Sequence, residues 1–459
     1  MTQTGGESRR RHLGMLTSLT LVLGCAPQDT YTPPGFGFSG SYHTRASGAP
    51  VLLSNDLWWG RMNDPVLNRL IATALTGNLS LAAARARVAG AQAAAAATPG
   101  LVTLTPTLTA NAAGVTGQPV ASQTGQMSLI WLLDPYGAHQ AAKGAARAQV
   151  EVAEAELAAA RLLVLYNLGN AYVDLRYRQA LVGLRDQEMQ SRRQTLAMTR
   201  NLLAAQDATT LDSTRSEARV AEIEAQMPGL RAAVTAKKNE IAVLVGQAPG
   251  SLSIDLDNHS SQPRPDMSPD IGIPADLLRN RPDIRVAERN YYIALTGLTQ
   301  AEAAQYPRLS LSGSLTLELA RGGSSYAFGP SLQLPSLPNS VRAGMARARA
   351  AIDEAHANWQ ATVLTALAEA ENAMLDYQAA TASQQAAEKA ARLYGKSLDL
   401  TRRIFGQGDA TLSDVISAEQ ELAQSRQSLA ETLYQRGLSF VALNVRLGAG
   451  HGVAAVSDF

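Results

Sequence analysis

Four short segments of the chain alternate apolar and polar residues with a period of two, which is the pattern of a β-strand with one apolar and one polar face. In residues 309–319 the odd positions carry Leu or Gly and the even positions carry Ser, Thr or Glu. Similar alternation occupies residues 102–111, 127–133 and 326–334. Each segment is close to the ~9–11 residues that a tilted strand needs to cross a bilayer. The sequence predicts strands at about 102–113, 125–133, 307–320 and 325–334.

The number of these strands constrains how the chain can enter a membrane. Every backbone polar group in hydrocarbon must be paired, so spanning strands close into a barrel, and the smallest such barrels have ~8 strands. Four strands are too few, and the sequence therefore predicts that several chains share one barrel. Two hairpins of a soluble β-sandwich remain an alternative, because Thr- and Ser-rich strands also suit a half-buried sheet.

Composition excludes some partners and favours helices. The 459 residues include 40 basic and 39 acidic side chains, so no bulk charge points to nucleic acid. Aromatic residues make up only 5% of the chain while Ala dominates long stretches, a bias typical of extended, closely packed helices. No apolar run approaches the ~20 residues of a spanning helix.

The N-terminus has the order of an export signal: basic residues at 9–12, an apolar run at 13–23, then Gly24 and the only cysteine, Cys25. The run from Val22 to Cys25 resembles the bacterial lipobox, in which the cysteine becomes the lipidated first residue. Ala26 stands where an Asp would favour retention in the inner membrane. We predict a signal peptide at 1–24 and a lipidated tether at 25–57 in the outer membrane. An ordinary signal peptide that happens to contain a cysteine is the alternative.

Two long Ala-rich stretches, at about 138–206 and 340–407, are predicted to be helices that would each reach ~100 Å at ~1.5 Å per residue. Apolar residues recur every seven positions in the first stretch, which indicates a left-handed coiled-coil seam. They are Leu168, Leu175, Val182, Met189, Leu196 and Leu203. The second stretch keeps only fragments of such a ladder, such as Leu393 and Leu400.

A shorter helix is predicted after each long one, at about 210–247 and 411–448, and the two copies match at a separation of 202 residues. The matching apolar pairs are Val220 and Leu422, Met227 and Leu429, and Ile241 and Leu443. The matching turns are Asp207-Ala208-Thr209 and Asp409-Ala410-Thr411, with Asp212 and Asp414 three residues after each Thr. Unrelated coiled coils would share a period but not their turns, so the chain contains an internal duplication.

Each repeat is predicted to run helix, β-hairpin, long helix, turn and shorter helix, over residues 58–247 and 274–450. The opening helices should begin near Asp64-Pro65 and Arg281-Pro282, because Pro suits the first helical turn. A Pro-rich stretch at 248–273 is the predicted linker between the repeats, and 451–459 is the C-terminal tail. The predicted fold class is mostly α with β-barrel strands.

This arrangement resembles the TolC-like outer-membrane efflux channels, in the lipidated NodT-type branch that serves resistance-nodulation-division pumps. The resemblance extends from Cys25 to about Gly450. The motifs that carry it are Trp58-Trp59, Asp64-Pro65, the run LLRNRPDIRVAERN at 277–290, Tyr306-Pro307-Arg308, and Phe405-Gly406-Gln407-Gly408 with Asp414-Val415-Ile416. The chain departs from the branch at Leu133-Asp134-Pro135-Tyr136-Gly137, where an acidic-aromatic-Gly-Arg run is usual, and the first turn lacks the glycine of the second.

The resemblance implies a homotrimer in which each chain supplies four strands to one 12-strand outer-membrane barrel. The helices would form a coiled-coil tunnel across the periplasm. The implied partners are a periplasmic adaptor protein, an inner-membrane resistance-nodulation-division pump and outer-membrane lipid. The implied function is passive conduction of small molecules or drugs to the exterior, with no cofactor.

A candidate gate lies at the second turn. Asp414 matches the family's gate aspartate, and a threefold ring of carboxylates in a constriction would favour cations and bind Arg or Lys. Ser417 lies where some relatives have a second acid, and Arg402 and Arg403 are candidate partners. The alternative is that Asp414 caps its helix and that the two arginines complement a helix dipole.

The turns themselves are the predicted adaptor-docking sites. Their residues are Gln206, Asp207, Ala208, Thr209, Gly406, Gly408, Asp409, Ala410 and Thr411. No catalytic motif is visible, and the six histidines lack metal-ligand spacing, so we predict neither an enzyme nor a metal site. A lipid-anchored periplasmic adaptor or structural envelope protein is the alternative function, and it would have no use for lipid-facing strands.

Overall fold

The computed structural model describes residues 57–115, 118–257, 261–265, 281–319, 322–335 and 338–452. The predicted signal peptide and Cys25 lie outside these residues, as do parts of the predicted linker. The described elements are a 3₁₀ turn (Trp58–Met62), α1 (Pro65–Gly77), α2 (Leu79–Ala96), β1 (Val102–Val115), β2 (Gln118–Leu133), α3 (Ala138–Ala204), α4 (Thr210–Leu244), α5 (Pro282–Ala303), β3 (Arg308–Glu318), β4 (Gly323–Gln333), α6 (Pro338–Gln407) and α7 (Leu412–Arg446).

The chain divides into two units. The described residues of the first, the strand unit, are 91–115, 118–150, 288–319, 322–335 and 338–357, which include all four strands. The second, the helix unit, contains described residues from 57–90, 151–287 and 358–452, and both helix-turn-helix tips belong to it. None of the helices in the described residues is apolar enough over a sufficient length to cross a membrane.

The strand unit contains a four-stranded antiparallel sheet in the order β1-β2-β3-β4. Its register aligns the alternating apolar positions of the four strands on one face, as the alternation predicted, while Ile130 and Leu132 of β2 fall on the other face. Two rows of this face are Leu104, Leu129, Gly313 and Phe328, and Pro106, Met127, Leu315 and Tyr326. Two rows of the other face are Thr105, Ser128, Ser314 and Ala327, and Thr107, Gln126, Thr316 and Ser325.

One strand is longer than predicted. β2 begins at Gln118, not near residue 125, because its backbone pairing with β1 continues to the pair of Val115 and Gln118. The apolar–polar alternation that predicted this strand ends near Gly125, because the next position of the apolar face is the polar Gln123. Backbone hydrogen bonds therefore extend the strand beyond the residues whose side-chain alternation predicts it.

A glycine interrupts the apolar face of β3 for a packing reason. A Cβ atom placed on Gly313 would lie 3.2 Å from Cδ2 of Phe328, its cross-strand partner. The missing side chain lets the aromatic ring lie across the neighbouring strand. The residue breaks the alternation in sequence but keeps the apolar face continuous.

The helix unit has a core in which the Asp64-Pro65 motif fixes the start of α1. One carboxylate oxygen of Asp64 accepts hydrogen bonds from the N–H groups of Val66 (2.9 Å) and Leu67 (3.4 Å), so Asp64 is the N-cap. The other oxygen accepts a hydrogen bond from the buried hydroxyl of Tyr172 on α3. The same carboxylate thus caps α1 and attaches it to α3.

The opening helix of the first repeat is split, contrary to the single helix predicted. Asn78 has an extended backbone, and its side-chain oxygen accepts hydrogen bonds from Ser80 (2.9 Å) and Leu81 (3.1 Å), capping α2. Its amide nitrogen donates to the carbonyl of Leu244 at the end of α4 (2.7 Å). The break is stabilised by this distant contact. In the second repeat α5 is continuous.

The Arg-Pro-Asp-Ile motif holds three segments of the helix unit together. Arg281 is buried and donates to Asp283 (2.7 Å), to Glu369 on α6 (2.8 Å) and to the backbone carbonyl of Arg446 at the end of α7 (2.8 Å). Burial lowers the pKa of Arg281, but the hydrogen bonds to the two carboxylates outweigh it, so the pKa is raised. The motif that carried the family resemblance is therefore a structural clamp.

The heptad ladder of α3 packs as predicted at most of its length. Leu168, Leu175 and Leu196 are buried, and the other three positions are partly buried. The fragment on α6 is different, because Leu393 and Leu400 are both exposed in the chain. The buried leucine of this part of α6 is Leu398, which packs against Ala418 and Leu422 of α7. At this level the contact of α6 with α7 is therefore made by Leu398 and not by the ladder fragment at Leu393 and Leu400.

Candidate functional site: the two helical tips

The α3–α4 and α6–α7 turns close their preceding helices with the same pair of backbone hydrogen bonds. In the first tip, Gln206 N–H donates to Leu203 (3.1 Å) and Asp207 N–H to Leu202 (2.8 Å). In the second, the equivalent bonds run from Gly408 to Phe405 (3.0 Å) and from Asp409 to Ile404 (3.2 Å). This is the Schellman motif, in which the last helical carbonyls are satisfied by a left-handed turn.

The left-handed position is occupied by different residues in the two tips. Gly408 has φ of 88°, which glycine adopts without a steric penalty. Gln206 has φ of 68° and carries a side chain. Outside glycine, only Gln206 and Asn63 show a positive φ among the described residues. The first tip therefore contains local backbone strain that the second lacks.

Both shorter helices begin with a capping box. The hydroxyl of Thr209 accepts a hydrogen bond from Asp212 N–H (3.2 Å), and the Asp212 carboxylate accepts one from Thr209 N–H (3.1 Å). Thr411 and Asp414 repeat these bonds at 3.2 and 2.8 Å. Hydrogen bonds from each Thr hydroxyl, and then from its backbone N–H, lower the pKa of the corresponding Asp. Asp414 is exposed and Asp212 is half-buried.

The predicted docking residues form two similar exposed surfaces. Gln206, Asp207 and Thr209 are exposed, and Ala208 is partly buried. In the second tip Ala410 is likewise the partly buried residue among exposed ones, which are Gly406, Gly408, Asp409 and Thr411. Each tip thus has one small, partly buried alanine between exposed neighbours.

The candidate gate residues are not joined to one another within the chain. Arg402 pairs with Glu419 (2.7 Å), and Arg403 pairs with Asp399 one turn earlier (2.6 Å). The sequence offered both arginines as partners of Asp414, but the partner of Asp414 within the chain is Thr411. Ser417 is exposed on α7. The gate role of Asp414 stays a prediction.

Glu419 is the charged residue of this region that sequence reasoning missed. Its side chain is only 5% exposed and accepts hydrogen bonds from Ser191 (3.0 Å) and Thr195 (3.2 Å) of α3 as well as from Arg402. The network joins α3 to the α6–α7 hairpin. A signal was present, because Glu419 lies between Val415 and Leu422 at helical spacing and so faces the core.

The first hairpin contains the equivalent pair in another environment. Arg200 and Glu217 lie 202 residues before Arg402 and Glu419, and their charged groups are 3.5 Å apart. Glu217 is 65% exposed. Within the described ranges, no group of three or more His, Cys, Asp or Glu residues is arranged to hold a metal ion.

Comparisons with known proteins identify the family. Residues 273–449 match the family described as outer membrane efflux protein. Nodulation protein T of Rhizobium leguminosarum biovar viciae is 30% identical over 97% of this chain and 93% of its own length. The pyoverdine export outer membrane protein OpmQ of Pseudomonas aeruginosa is 26% identical, over 96% of this chain and 97% of its own length.

The fold comparison agrees. The structure of the outer-membrane channel OprN superposes with a TM-score of 0.81 at 27% identity, covering 94% of this chain and all of that one. The matches extend across both repeats, and they cover the strand unit as well as the helix unit. The chain belongs to the family of outer membrane efflux proteins.

Proposed function

We propose that three copies of the chain form one passive outer-membrane duct, which receives small molecules from a periplasmic adaptor and an inner-membrane resistance-nodulation-division pump. Membership of the family gives the coarser statement, that the chain is an outer-membrane efflux channel reaching into the periplasm. The observation that carries the proposal is the common register of the four strands, which gathers their apolar residues on one face.

The trimer is supported by the edges of the sheet. β1 and β4 are the outer strands and run antiparallel to each other, because each neighbouring pair in the order β1-β2-β3-β4 is antiparallel. β4 of one copy can therefore pair with β1 of the next in the same antiparallel manner. Closure satisfies the edge groups that hydrocarbon would leave unpaired, and three copies supply twelve strands. A periplasmic spacer or adaptor would need no such face.

The polar face of the sheet indicates a wide, unselective wall. Two of its rows consist of Thr, Ser, Gln and Ala, a neighbouring row includes Ile130, and Glu318 is a charged residue of this face at the end of β3. Small neutral hydroxyl groups hydrate a passage but offer little chemical discrimination. Substrate choice therefore falls to the inner-membrane pump, and the duct itself needs no catalytic step or cofactor.

The tips are assigned to docking and gating. The exposed turns at 206–209 and 406–411 would contact the adaptor, and three copies of Asp414 would ring the constriction. Cys25 would carry the lipid that attaches the mature chain to the outer membrane, with acyl chains contributing ~0.8 kcal/mol per buried CH₂. Family membership and the position of Cys25 after an apolar run support these assignments.

The two faces of β3 provide the test of the duct. Leu315→Arg places a charge on the apolar face, where it should cost ~2–4 kcal/mol near the bilayer midplane, whereas Ser314→Arg places the same charge on the hydrated face. We expect Leu315→Arg to abolish heat-modifiable trimers in detergent extracts of outer membranes, and Ser314→Arg to assemble normally. Equal yields from the two variants would refute the assignment of the faces and with it the shared barrel.

A further inference from the structure

A charged cavity of about 340 Å³ lies between α3, α6 and α7 of the helix unit. Its charged lining consists of four arginines and two glutamates: Arg185, Arg192, Arg402, Arg426, Glu188 and Glu419. Positive side chains therefore exceed negative ones by two. Arg192 lies about 20 Å along α3 from the first tip, since it precedes Gln206 by fourteen residues, and Arg402 precedes Gly408 of the second tip by six residues.

Arg192 is the buried cation of this cavity. Its side chain is 7% exposed, so its guanidinium has little access to bulk water. Nη1 lies 3.8 Å from Glu419, and Nη2 lies 3.6 Å from Glu188, both beyond hydrogen-bond length. Nη1 has no hydrogen-bond partner among the described residues. A buried guanidinium donor without an acceptor is costly, and an acceptor in the cavity would relieve that cost.

The two neighbouring glutamates lie 3.6 and 3.8 Å from Arg192, but their hydrogen bonds go to other groups of the described residues. Glu188 already accepts a hydrogen bond from Arg185, three residues earlier on α3. Glu419 accepts bonds from Arg402, Ser191 and Thr195. Glu188 uses Oε2 for Arg185 and turns Oε1 towards Nη2 of Arg192 at 3.6 Å, while Nη1 of Arg192 donates no hydrogen bond to either carboxylate.

A second arginine increases the positive potential next to Arg192. Arg219 on α4 also has a buried Nη1 without a hydrogen-bond partner among the described residues. Burial is the main cause that lowers the pKa of Arg219, and the charge of Arg192 lowers it further, while Glu222 and Glu419 offset part of this effect. Arg219 does not line the cavity, but its positive charge lies close enough to Arg192 to disfavour a second cation there.

We propose that this cavity binds a small oxyanion, a phosphate or a multivalent carboxylate, with Arg192 as its buried ligand and Arg402 and Arg426 at its rim. Planar guanidinium groups bind such oxygens through paired, charge-assisted hydrogen bonds. The three arginines belong to α3, α6 and α7, so the bound anion would join the first long helix to the second hairpin.

The test is the thermal stability of the purified full-length protein in inorganic phosphate, with citrate as the carboxylate probe and chloride at equal ionic strength as the reference. We expect a saturable rise in melting temperature with phosphate or citrate. Arg192→Gln should raise the half-saturating concentration about tenfold or more, the size of one charge-assisted hydrogen bond. The matched control is Arg193→Gln, which removes the same charge from an exposed pair with Glu224.

A second variant keeps the test decisive if Arg192→Gln fails to fold. Arg426 is exposed and lines the cavity, so Arg426→Gln should fold normally and weaken the phosphate or citrate response. Loss of the response in Arg192→Gln or Arg426→Gln, with its retention in Arg193→Gln, supports the site. An unsaturable response in the wild type, or an equal response in all folded variants, overturns it.

Discussion

The two helical tips have the same local structure but differ in what lies beneath them. Both end the long helix with a Schellman turn and begin the shorter helix with a Thr-Asp capping box. Below the turn, Arg402 and Glu419 form a pair whose carboxylate is buried against α3, while the equivalent Arg200 and Glu217 are both exposed. Local signals were conserved between the repeats, but their tertiary surroundings were not.

This difference shows why one pair belongs to a buried network between helices while the other spans its two helices at the surface of the chain. Glu419 accepts hydrogen bonds from Ser191 and Thr195 because α3 packs against α7 at that level. Glu217 faces solvent in the chain, so its attraction to Arg200 is weakened by water. The second hairpin is therefore tied to α3 by a buried polar network, and the first has no equivalent tie at this level among the described residues.

The largest expected effect is a difference in stability loss between substitutions of Glu419 and Glu217. Glu419→Ala removes the carboxylate that holds Arg402 and leaves buried polar groups unpaired, so we expect it to cost about 3–5 kcal/mol. Glu217→Ala should cost ~1 kcal/mol or less, as is usual for exposed pairs. Guanidinium unfolding followed by helical circular dichroism measures both. Similar losses in the two variants would show that burial does not distinguish the tips.

Substitutions in the capping boxes should lower stability less than Glu419→Ala does. One of them should also change conduction. Asp212→Ala and Asp414→Ala remove equivalent caps, so both should lower the melting temperature by similar, modest amounts. If Asp414 forms the gate, Asp414→Ala alone should raise single-channel conductance in planar bilayers. Unchanged conductance in a correctly assembled Asp414→Ala protein would assign Asp414 to capping only.

Acid titration gives the capping boxes a second readout. The folded-state pKa of each Asp lies below its ordinary value near 3.8, so the stabilisation is present above that pH and is lost as pH falls through the lowered pKa. The loss should be equal at the two tips. Comparing each Ala variant with the wild type between about pH 5 and pH 2 isolates the contribution of each cap.

The smallest expected effect concerns the left-handed residue of each turn. Gln206→Gly should stabilise the first tip by up to ~1 kcal/mol because glycine adopts positive φ without strain, although its greater freedom in the unfolded chain offsets part of the gain. Gly408→Gln should destabilise the second tip by a similar amount. The free energy of unfolding of both variants, measured against the wild type, tests these two expectations. Opposite signs are expected, and equal signs would contradict the strain assigned to Gln206.

Patterns of short range predicted much of this fold. The alternation in 309–319 identified β3 and its faces, since successive side chains of a strand point in opposite directions. The separation of 202 residues between matching turns revealed the duplication and located both tips. Asp64-Pro65 and Thr411 with Asp414 marked helix starts, because a cap requires only residues within one turn.

What the sequence by itself determined was therefore local: strand faces, helix starts, turns and the repeat. The tertiary structure alone decided which partner each polar side chain finds, because packing brings together residues far apart in sequence. It assigned Arg402 to Glu419 and Ser191 rather than to Asp414, split the opening helix where Asn78 reaches Leu244, and left Leu393 exposed. The helical period determines on which face of its helix a charged residue lies, but the helices that pack against that face decide whether the residue is buried.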